Sequence, residues 1–538
     1  MGDTVNLANR LEQAAPLGGV LVAHNTYRHV RGIFDVQALG PLAVRGRQEP
    51  VPVYVVLRLK PRAFRSTTRG VEGIETRMIG REAELAALQA AFAAIVAANE
   101  SRVVTIIGDA GLGKSRLLYE FDNWVELRPE MVRYFKGRAT PDLQSVPYSL
   151  WRDLLAFRFD ILDSDSPAVA LSKFRRGITA GSPSENGAAA DQVTDGYVTD
   201  IVGHWLGFDF SASPAVVRLA GSPDFAALAQ AYFIRFVRAL AAARGTAILL
   251  EDIHWADDSS LDLIERLAEA IPDAHLLIVC LARPALFERR PRWGEQLPGN
   301  RVVRLLPLDQ DSGRALVDEI MQRADHVPDA LRDLVIAGAE GNPFYIEELV
   351  KMLIEQGVIE RRGAGVQGSR GEEEQGSAED SLPPAPLPPR SPAPETWRVR
   401  EEKLADLRVP PTLTALLQAR LDGLPPAERE VLQRAAVVGR VFWDDAVAAL
   451  LADEQATAGR RRPAAAAPRS AAVQPLLAAL VRRELVVTRD RPAFAGSQEY
   501  TFKHNLLRQV TYETVLLRDR KRHHARVARW LEVNAGAR

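Results

Sequence analysis

The chain has 538 residues, which exceeds what one hydrophobic core organises and predicts roughly three or four domains. Its 68 basic and 69 acidic residues leave a formal net charge of -1, which excludes a global attraction to nucleic acid or anionic lipid. The single cysteine, Cys280, excludes an internal disulfide and a cysteine-built zinc site, and it fits a reducing, cytoplasmic compartment.

The N-terminal residues lack the features of a targeting peptide. They include the acids Asp3 and Glu12, and no apolar stretch precedes a small-residue cleavage site. No uninterrupted apolar run in the chain reaches the roughly 18 to 20 residues that a membrane helix needs. We therefore expect no membrane partner.

Residues 1–58 combine a short motif with a pattern of strands. The motif GDTVNLANRL (residues 2–11) precedes strand-like runs over residues 18–57. This segment resembles the late part of class III adenylate and guanylate cyclase domains, in which the residues at Asn6 and Arg10 steady the ribose and the transition-state phosphate. That family's two metal-binding aspartates lie upstream of the motif. The resemblance therefore implies a truncated α+β remnant without cyclase activity in this chain, and a parent gene that encodes a complete cyclase stays open.

A linker over residues 59–77 leads to a large block in which strands and helices alternate. Strand-like runs lie at residues 103–108, 247–252 and 275–282, and amphipathic helical stretches separate them. This alternation predicts an α/β fold with a parallel sheet covered by helices.

The strongest functional motif is GDAGLGKS, a full G-x-x-x-x-G-K-S match between a strand and a helix. Glycines let the backbone approach a phosphate, so that consecutive N–H groups and the helix N-terminus hold its oxygens. We expect Lys114 to reach the β and γ phosphates of ATP and Ser115 to hold Mg²⁺. The residues predicted to bind the nucleotide here are Gly108, Asp109, Ala110, Gly111, Leu112, Gly113, Lys114 and Ser115.

A second element should supply a carboxylate to the metal from the end of a buried strand. The run Ala247-Ile-Leu-Leu-Glu251-Asp252 fits this requirement. By position we assign Glu251 to the metal and Asp252 to the attacking water, although the order of the two acids leaves this assignment open. His254 and Trp255 are expected to pack at the strand end rather than to act in chemistry.

Five motifs together resemble the AAA-related signal-transduction ATPases with numerous domains: MIGREAEL (78–85), GDAGLGKS (108–115), LLEDIHWADDSSL (249–261), CLARP (280–284) and GNPFYIEELV (341–350). The resemblance implies an ATPase core over 78–300 and a helical lid over 301–360. It places Ile79, Gly80 and Arg81 near the adenine, makes Arg283 a sensor of the γ-phosphate, and lets Gly341 to Pro343 close the lid. For Arg283, a strand-end arginine paired with a surface acid remains the alternative.

Beyond the lid, residues 361–398 read as a disordered linker because they are rich in Gly, Glu, Ser and Pro. The run from Ala456 to Ser470 reads as a surface loop. Helices followed by a strand pair over 399–510 resemble the winged helix that follows the lid in the signalling ATPases, where His504 lies at a position that can meet the ADP phosphate. A packed or surface histidine is the alternative.

The last segment, 511–538, reads as the start of a helical, repeat-like region that lacks a packing partner within the chain. Scattered basic side chains favour an intramolecular role for the winged helix over nucleic-acid binding. The expected function is an ATP- and Mg²⁺-dependent signalling switch that regulates an attached cyclase or effector module. Its expected partners are ATP or ADP and its own lid and winged helix, with self-association left open. The alternatives are a nucleotide cyclase and an ATP-dependent transcriptional regulator.

Overall fold

The computed structural model covers the chain with several gaps. It describes residues 3–16, 18–24, 26–27, 34–42, 50–59, 70–71, 74–126, 128, 133–162, 165–181, 196–243, 245–295, 297, 299–362, 396–404, 409–457, 469–489, 494 and 496–536. Most of the predicted linker over 361–398 and of the predicted loop over 456–470 lies outside the described residues.

The strands are, in chain order, β1 Val20–Ala23, β2 Phe34–Leu42, β3 Val51–Leu59, β4 Gly70–Val71, β5 Ile74–Glu75, β6 Arg102–Ile107, β7 Arg133–Arg138, β8 Thr246–Glu251, β9 Leu276–Ala282, β10 Arg301–Arg304, β11 Ile359–Arg362, β12 Thr396–Val399, β13 Val441–Trp443, β14 Val486–Arg489 and β15 Glu499–Phe502.

The helices are α1 Asp3–Ala14, α2 Glu82–Ala98, α3 Lys114–Glu126, α4 Ser149–Arg158, α5 Pro167–Gly181, α6 Gly196–Trp205, α7 Pro214–Leu219, α8 Phe225–Ala243, α9 Asp258–Ala270, α10 Ala285–Arg289, α11 Gln310–Ile320, α12 Asp329–Ala339, α13 Pro343–Glu355, α14 Leu413–Asp422, α15 Pro426–Val438, α16 Asp444–Thr457, α17 Gln474–Arg482, α18 Asn505–Glu513 and α19 Leu517–Gly536.

The chain divides into two compact units. The first comprises Met1–Thr67, Arg81–Leu306 and Leu424–Arg538, and the second comprises Thr68–Gly80 and Pro307–Gly423. Helix α14, which the sequence grouped with the C-terminal helices, therefore belongs to the second unit together with helices α11 to α13, which the sequence predicts as a lid.

In the first unit, the N-terminal segment forms a small antiparallel sheet. Its strand order is β1-β3-β2, and helix α1 precedes it along the chain. Leu11 of α1 packs into one apolar cluster with Leu21, Ala23, Val51 and Val53 of the sheet. Alternating apolar residues in these strands face that cluster, which is how one side of a small sheet becomes buried.

The central sheet of the first unit has five strands in the order β10-β6-β9-β8-β7, and every neighbouring pair is parallel. The predicted strands at 103–108, 247–252 and 275–282 are confirmed with shifts of one residue at their ends. Because β9 lies between β6 and β8, the segments that follow these three strands meet at one edge of the sheet. This edge carries the candidate site.

Helix α8 contains an 18-residue window, Phe225–Ala242, that is long and apolar enough to cross a membrane, which the sequence analysis did not anticipate. A third of that window is buried. Phe233, Phe236 and Val237 pack into the hydrophobic cluster around the sheet. A core helix passes the same test of length and composition, so the window alone says little about a membrane.

The C-terminal part of the first unit contains a three-stranded antiparallel sheet, ordered β13-β15-β14, with helices α15 to α19. The expectation that the last helix lacks a packing partner is wrong. The Trp530 ring of α19 stacks on Trp443 with centroids 5.7 Å apart and meets Phe494 edge-on at 5.1 Å. His523 of the same helix is fully buried. The helix therefore completes this core.

The second unit contains a group of charged side chains between α13 and α14, of which Glu348, Lys351 and Arg420 are buried. Lys351 Nζ lies 2.9 Å from Glu348 Oε1, and Arg420 donates to both Glu348 and the exposed Glu355. Removing Glu348 or Arg420 would leave an uncompensated buried charge, so their pairing opposes separation of α14 from α13.

Candidate functional site

The loop between β6 and α3 contains left-handed backbone conformations at two of its glycines. Gly111 and Gly113 have φ values of 88° and 92°, in the left-handed region that disfavours other residues. At Gly108 an added Cβ would lie 3.1 Å from the Leu305 Cβ, because the chain after β10 passes close to the loop. Asp109 and Ser115 are exposed, so solvent reaches the loop at the N-terminus of the 13-residue helix α3.

The Lys114 ammonium folds back over this loop. Its Nζ donates to the carbonyl oxygens of Gly108 and Asp109 at 2.6 and 2.8 Å. Burial, together with the nearby Arg283, lowers the pKa of Lys114 to about 8, while Asp252 and Asp109 act in the opposite direction. The cation is thus held by neutral carbonyl groups in a site where an anion would stabilise its charged form.

Arg81 ties the loop to the strand at the edge of the sheet. Its Nη2 donates to the Leu112 carbonyl at 3.3 Å and to the Leu306 carbonyl at 2.6 Å, and Nη1 lies 3.5 Å from Glu84 Oε1. Only 6% of the residue is exposed. Arg81 therefore supports the loop backbone, and its predicted place near the adenine stays a prediction.

Arg283 directly follows β9, the strand between β6 and β8. In that position its charge lowers the pKa of both Lys114 and His254. Asp252 also interacts with both of these residues. The fold thus brings together three residues that the sequence had proposed from separate motifs: Lys114, Asp252 and Arg283.

The two adjacent acids at the end of β8 have different surroundings. Glu251 is the last residue of β8 and pairs in register with Arg138 at the end of β7, and the Arg138 guanidinium donates to its carboxylate. Burial raises the pKa of Glu251, but Arg138, with smaller effects from Arg440 and Lys136, outweighs burial and leaves the pKa below its ordinary value. Glu251 is therefore an ionised partner of Arg138.

Asp252 leaves the strand with φ of 58°, in the left-handed region that aspartate adopts more readily than most other non-glycine residues. Its Oδ2 lies 3.8 Å from Arg138 Nε and 3.7 Å from Arg440 Nη1. Unlike Glu251, it interacts electrostatically with Lys114 strongly enough to oppose the lowering of the lysine pKa. Asp252 is thus the carboxylate of this pair that acts on the loop lysine.

Arg440 comes from the C-terminal part of the first unit, immediately before β13. Burial and the neighbouring Arg138 lower its pKa to about 10, whereas Asp252 and Glu251 favour its charged form. About a fifth of each side chain in the Arg440–Asp252 pair is exposed. A residue nearly 190 positions away in the sequence therefore contacts a candidate site acid.

His254 is the site residue that sequence reasoning assigned to packing alone. It lies in the single 3₁₀ turn Ile253–Trp255 after Asp252, and 3% of it is exposed. Burial lowers its pKa to about 4, with Asp252 opposing and with Arg283, Lys114 and Arg289 reinforcing the shift. Its spacing from Asp252 was the one sequence signal that could have marked it.

Asp257 fixes the chain after this turn. It is 4% exposed and caps helix α9, where its carboxylate accepts hydrogen bonds from Ser260 N at 2.8 Å and Ser260 Oγ at 2.6 Å. It also accepts from the backbone N–H groups of Tyr148 and Ser149 at 2.9 and 3.2 Å. The same acid therefore joins the start of α9 to the start of α4.

The remaining predicted residues lie elsewhere. Ile79, Gly80 and Pro343 belong to the second unit, where Pro343 opens α13 behind its cap Asn342. His504 immediately precedes α18.

In the N-terminal segment, Arg10 is exposed on α1, and the side chain of Asn6 lies outside the described residues.

Comparison with known proteins places this site in a recognised domain. Residues 77–279 match the AAA ATPase domain family. The match covers the loop, both acids of β8 and most of the sheet, and these residues form a P-loop ATPase domain with a parallel α/β fold. It covers less than half of the chain, so it identifies this domain and not the whole protein.

Similarities that extend over most of the chain have low sequence identity. An uncharacterized protein of Rhizobium meliloti (strain 1021) is 27% identical over 545 residues, which is 99% of this chain and 44% of that protein. A signal transduction ATPase with numerous domains and a tetratricopeptide repeat sensor, from Pyrococcus horikoshii, is 14% identical with a TM-score of 0.38, over 86% of this chain and 47% of that one. The Aeropyrum pernix ORC1 protein, solved in complex with DNA, is 15% identical with a TM-score of 0.33, over 82% of this chain and 94% of that one. The chain thus spans under half the length of the first two.

Proposed function

We propose that this chain binds ATP with Mg²⁺ at the loop over residues 108–115, hydrolyses it slowly, and uses the bound nucleotide as a signalling switch. One observation carries the proposal. Lys114, Asp252 and Arg283, which follow three neighbouring parallel strands, interact electrostatically at one edge of the sheet beside the glycine loop. Cations and backbone N–H groups at a helix N-terminus favour a bound phosphate, and a carboxylate beside them suits a metal bound to that phosphate.

The oxygen donors at this edge suit Mg²⁺, which prefers hydroxyl and carboxylate ligands and shares them with phosphate. Ser115 is exposed in the first turn of α3, and Asp252 acts on Lys114. We assign Ser115 and Asp252 to the metal, in place of the initial choice of Glu251, because Arg138 already occupies the Glu251 carboxylate. When bound, Mg²⁺ would neutralise charge on the phosphates.

The residues of the chain then have separate tasks. Lys114 exchanges its carbonyl partners for phosphate oxygens. Arg283 stabilises charge on the terminal phosphate, and Arg81 keeps the loop backbone in place through the Leu112 carbonyl. We assign Asp252 to the attacking water as well as to the metal, so both roles converge on it.

The switch rests on the contact between Arg440 and Asp252. The helices and the three-stranded sheet of the C-terminal part support the earlier interpretation as a winged helix. In the proposed resting state, Arg440 competes with the metal for Asp252. ATP and Mg²⁺ would displace Arg440 and thereby change the position of the C-terminal part.

Other assignments extend this proposal. We interpret residues 1–58 as a piece derived from a nucleotide cyclase domain, and the switch as regulating an attached cyclase or effector module. The helices of the second unit would act as the lid, with Pro343 at the start of α13. His504 remains a candidate contact for the ADP phosphate, and the C-terminal part works within the chain rather than on nucleic acid.

The test compares Lys114→Ala with the control Lys173→Ala. Lys173 lies in helix α5, and its Nζ pairs with Asp165 at 2.6 Å. Binding of a fluorescent ATP analogue with Mg²⁺ is measured by titration, and melting temperature reports folding. We expect the Lys114 variant to lose binding while it melts like the native chain, and the control to bind normally. Native affinity in a folded Lys114 variant would exclude the proposed site.

A further inference from the structure

His254 presents a buried imidazole that the mechanism above does not use. Only 3% of the residue is exposed. Both Nδ1 and Nε2 are buried and have no hydrogen-bond partner among the described residues. Because buried polar atoms are almost always hydrogen-bonded, a ring with two unsatisfied nitrogens needs an explanation, and a missing ligand is one.

The turn that carries the ring is anchored by a neighbouring arginine. The His254 carbonyl accepts a hydrogen bond from Arg289 Nη1 at 2.8 Å, which anchors the 3₁₀ turn. The imidazole lies against the Trp255 ring with centroids 5.0 Å apart. The turn follows directly from Asp252 at the carboxyl end of β8, so its position is fixed by the sheet.

The charged residues around the ring are those that would hold a triphosphate. His254 interacts electrostatically with Asp252, Arg283 and Lys114, and these three belong to the proposed site, while Arg289 anchors the turn. An imidazole carries at least one N–H donor whether it is neutral or protonated.

An N–H donor suits a phosphoryl oxygen in this position. Lys114, Arg283 and the helix N-terminus supply positive charge, and a hydrogen bond from the ring N–H to an anionic oxygen adds directionality. A ring that only packs would leave both nitrogens unsatisfied.

We propose that His254 is a further nucleotide-binding residue, which donates a hydrogen bond to an oxygen of the terminal phosphate and so lets the site distinguish a nucleoside triphosphate from a diphosphate. This inference rests on the proposed function, because it requires that the glycine loop binds ATP. It predicts that removing the donor weakens binding of the triphosphate and leaves binding of the diphosphate unchanged.

The experiment uses His254→Phe, which keeps a ring of similar shape without nitrogens, and His254→Gln, which keeps a donor. Affinities for fluorescent ADP and for a fluorescent non-hydrolysable ATP analogue are measured with Mg²⁺ at pH 7. A hydrogen bond to a charged group corresponds to about 10- to 100-fold in affinity, so His254→Phe should lose that factor for the ATP analogue alone. His254→Gln should recover most of the loss.

His204→Phe is the matched control, because it removes a histidine of the same unit whose Nδ1 also lacks a hydrogen-bond partner among the described residues. It should bind both nucleotides as the native chain does. Unchanged preference for the ATP analogue in a folded His254→Phe variant would overturn the inference, as would an equal loss for both nucleotides. A native chain that binds neither nucleotide would instead refute the proposed function.

Discussion

The contact between Arg440 and Asp252 gives the sharpest test of the switch. Nη1 of Arg440 and Oδ2 of Asp252 are 3.7 Å apart, and about a fifth of each side chain is exposed. If this pair holds the resting state, then Arg440→Ala should shift the population towards the state that accepts Mg²⁺ and ATP. Turnover should therefore rise.

The size of the effect follows from the geometry. Two unit charges at this separation attract by roughly 4 kcal/mol at an effective dielectric constant near 20. Loss of hydration offsets most of this attraction, since both groups are largely removed from water, and exposed pairs contribute only about 0.2–1 kcal/mol. A net value of about 1–2 kcal/mol lies between these limits and corresponds to roughly a 5- to 30-fold change in the population ratio.

The assay is steady-state ATP hydrolysis at subsaturating ATP and Mg²⁺, combined with titration of ATP affinity in the presence of Mg²⁺. Because Arg440 competes with the metal, we expect the subsaturating rate and the apparent affinity to rise by up to about 5- to 30-fold in Arg440→Ala, and Arg440→Lys to stay near the native values because it keeps the charge. Arg483→Ala is the control: Arg483 lies in the same C-terminal part and pairs with Glu428 at 2.9 Å. An unchanged or lower subsaturating rate and affinity in a folded Arg440→Ala variant would refute the autoinhibitory role.

Three further predictions concern the acids and the lysine. Asp252→Asn should keep ATP binding but lower turnover by about 100-fold or more. Glu251→Gln should leave the dependence of turnover on Mg²⁺ concentration near native. If Glu251→Gln instead changes the Mg²⁺ dependence and Asp252→Asn does not lower turnover, the metal returns to Glu251. The pKa of Lys114, about 8 in the folded chain against an ordinary 10.5, means that the unfolded chain holds more protons between these values. The free energy of unfolding of the native chain, measured by urea denaturation, should therefore rise with pH through that window relative to that of Lys114→Met. Parallel plots of this free energy against pH for the two proteins would contradict the prediction. Asp257→Ala should lower the free energy of unfolding by about 2–4 kcal/mol in the same assay, because buried donors lose their acceptor, while the exposed Asp258→Ala should cost much less.

Much of the site was readable from the sequence because its chemistry is local. The glycines of the loop and Lys114 lie within a few residues of one another, between a strand and a helix whose patterns are clear. Asp252 and Arg283 could be proposed because each follows a buried apolar strand. Parallel strands bring their carboxyl ends to one edge, so these separate motifs were expected to meet.

The division of labour between Glu251 and Asp252 depended on residues far away in the chain. Arg138 pairs with Glu251 only because β7 lies beside β8 in a register that places these two residues opposite each other. No local pattern reveals that register. The role of His254 was missed for a related reason: its burial and its unsatisfied nitrogens become visible only when the neighbouring elements are in place.

The sequence by itself therefore determined the phosphate-binding loop, the parallel α/β core and the presence of acids at the end of β8, since each depends on short-range periodicity and backbone chemistry. Only the tertiary structure decided which acid acts on Lys114, that Arg440 reaches Asp252, and that Trp530 gives the last helix a packing partner. These three outcomes depend on contacts between side chains that are distant in sequence. Their free energy comes from burial and charge pairing in the folded chain, which no local pattern records.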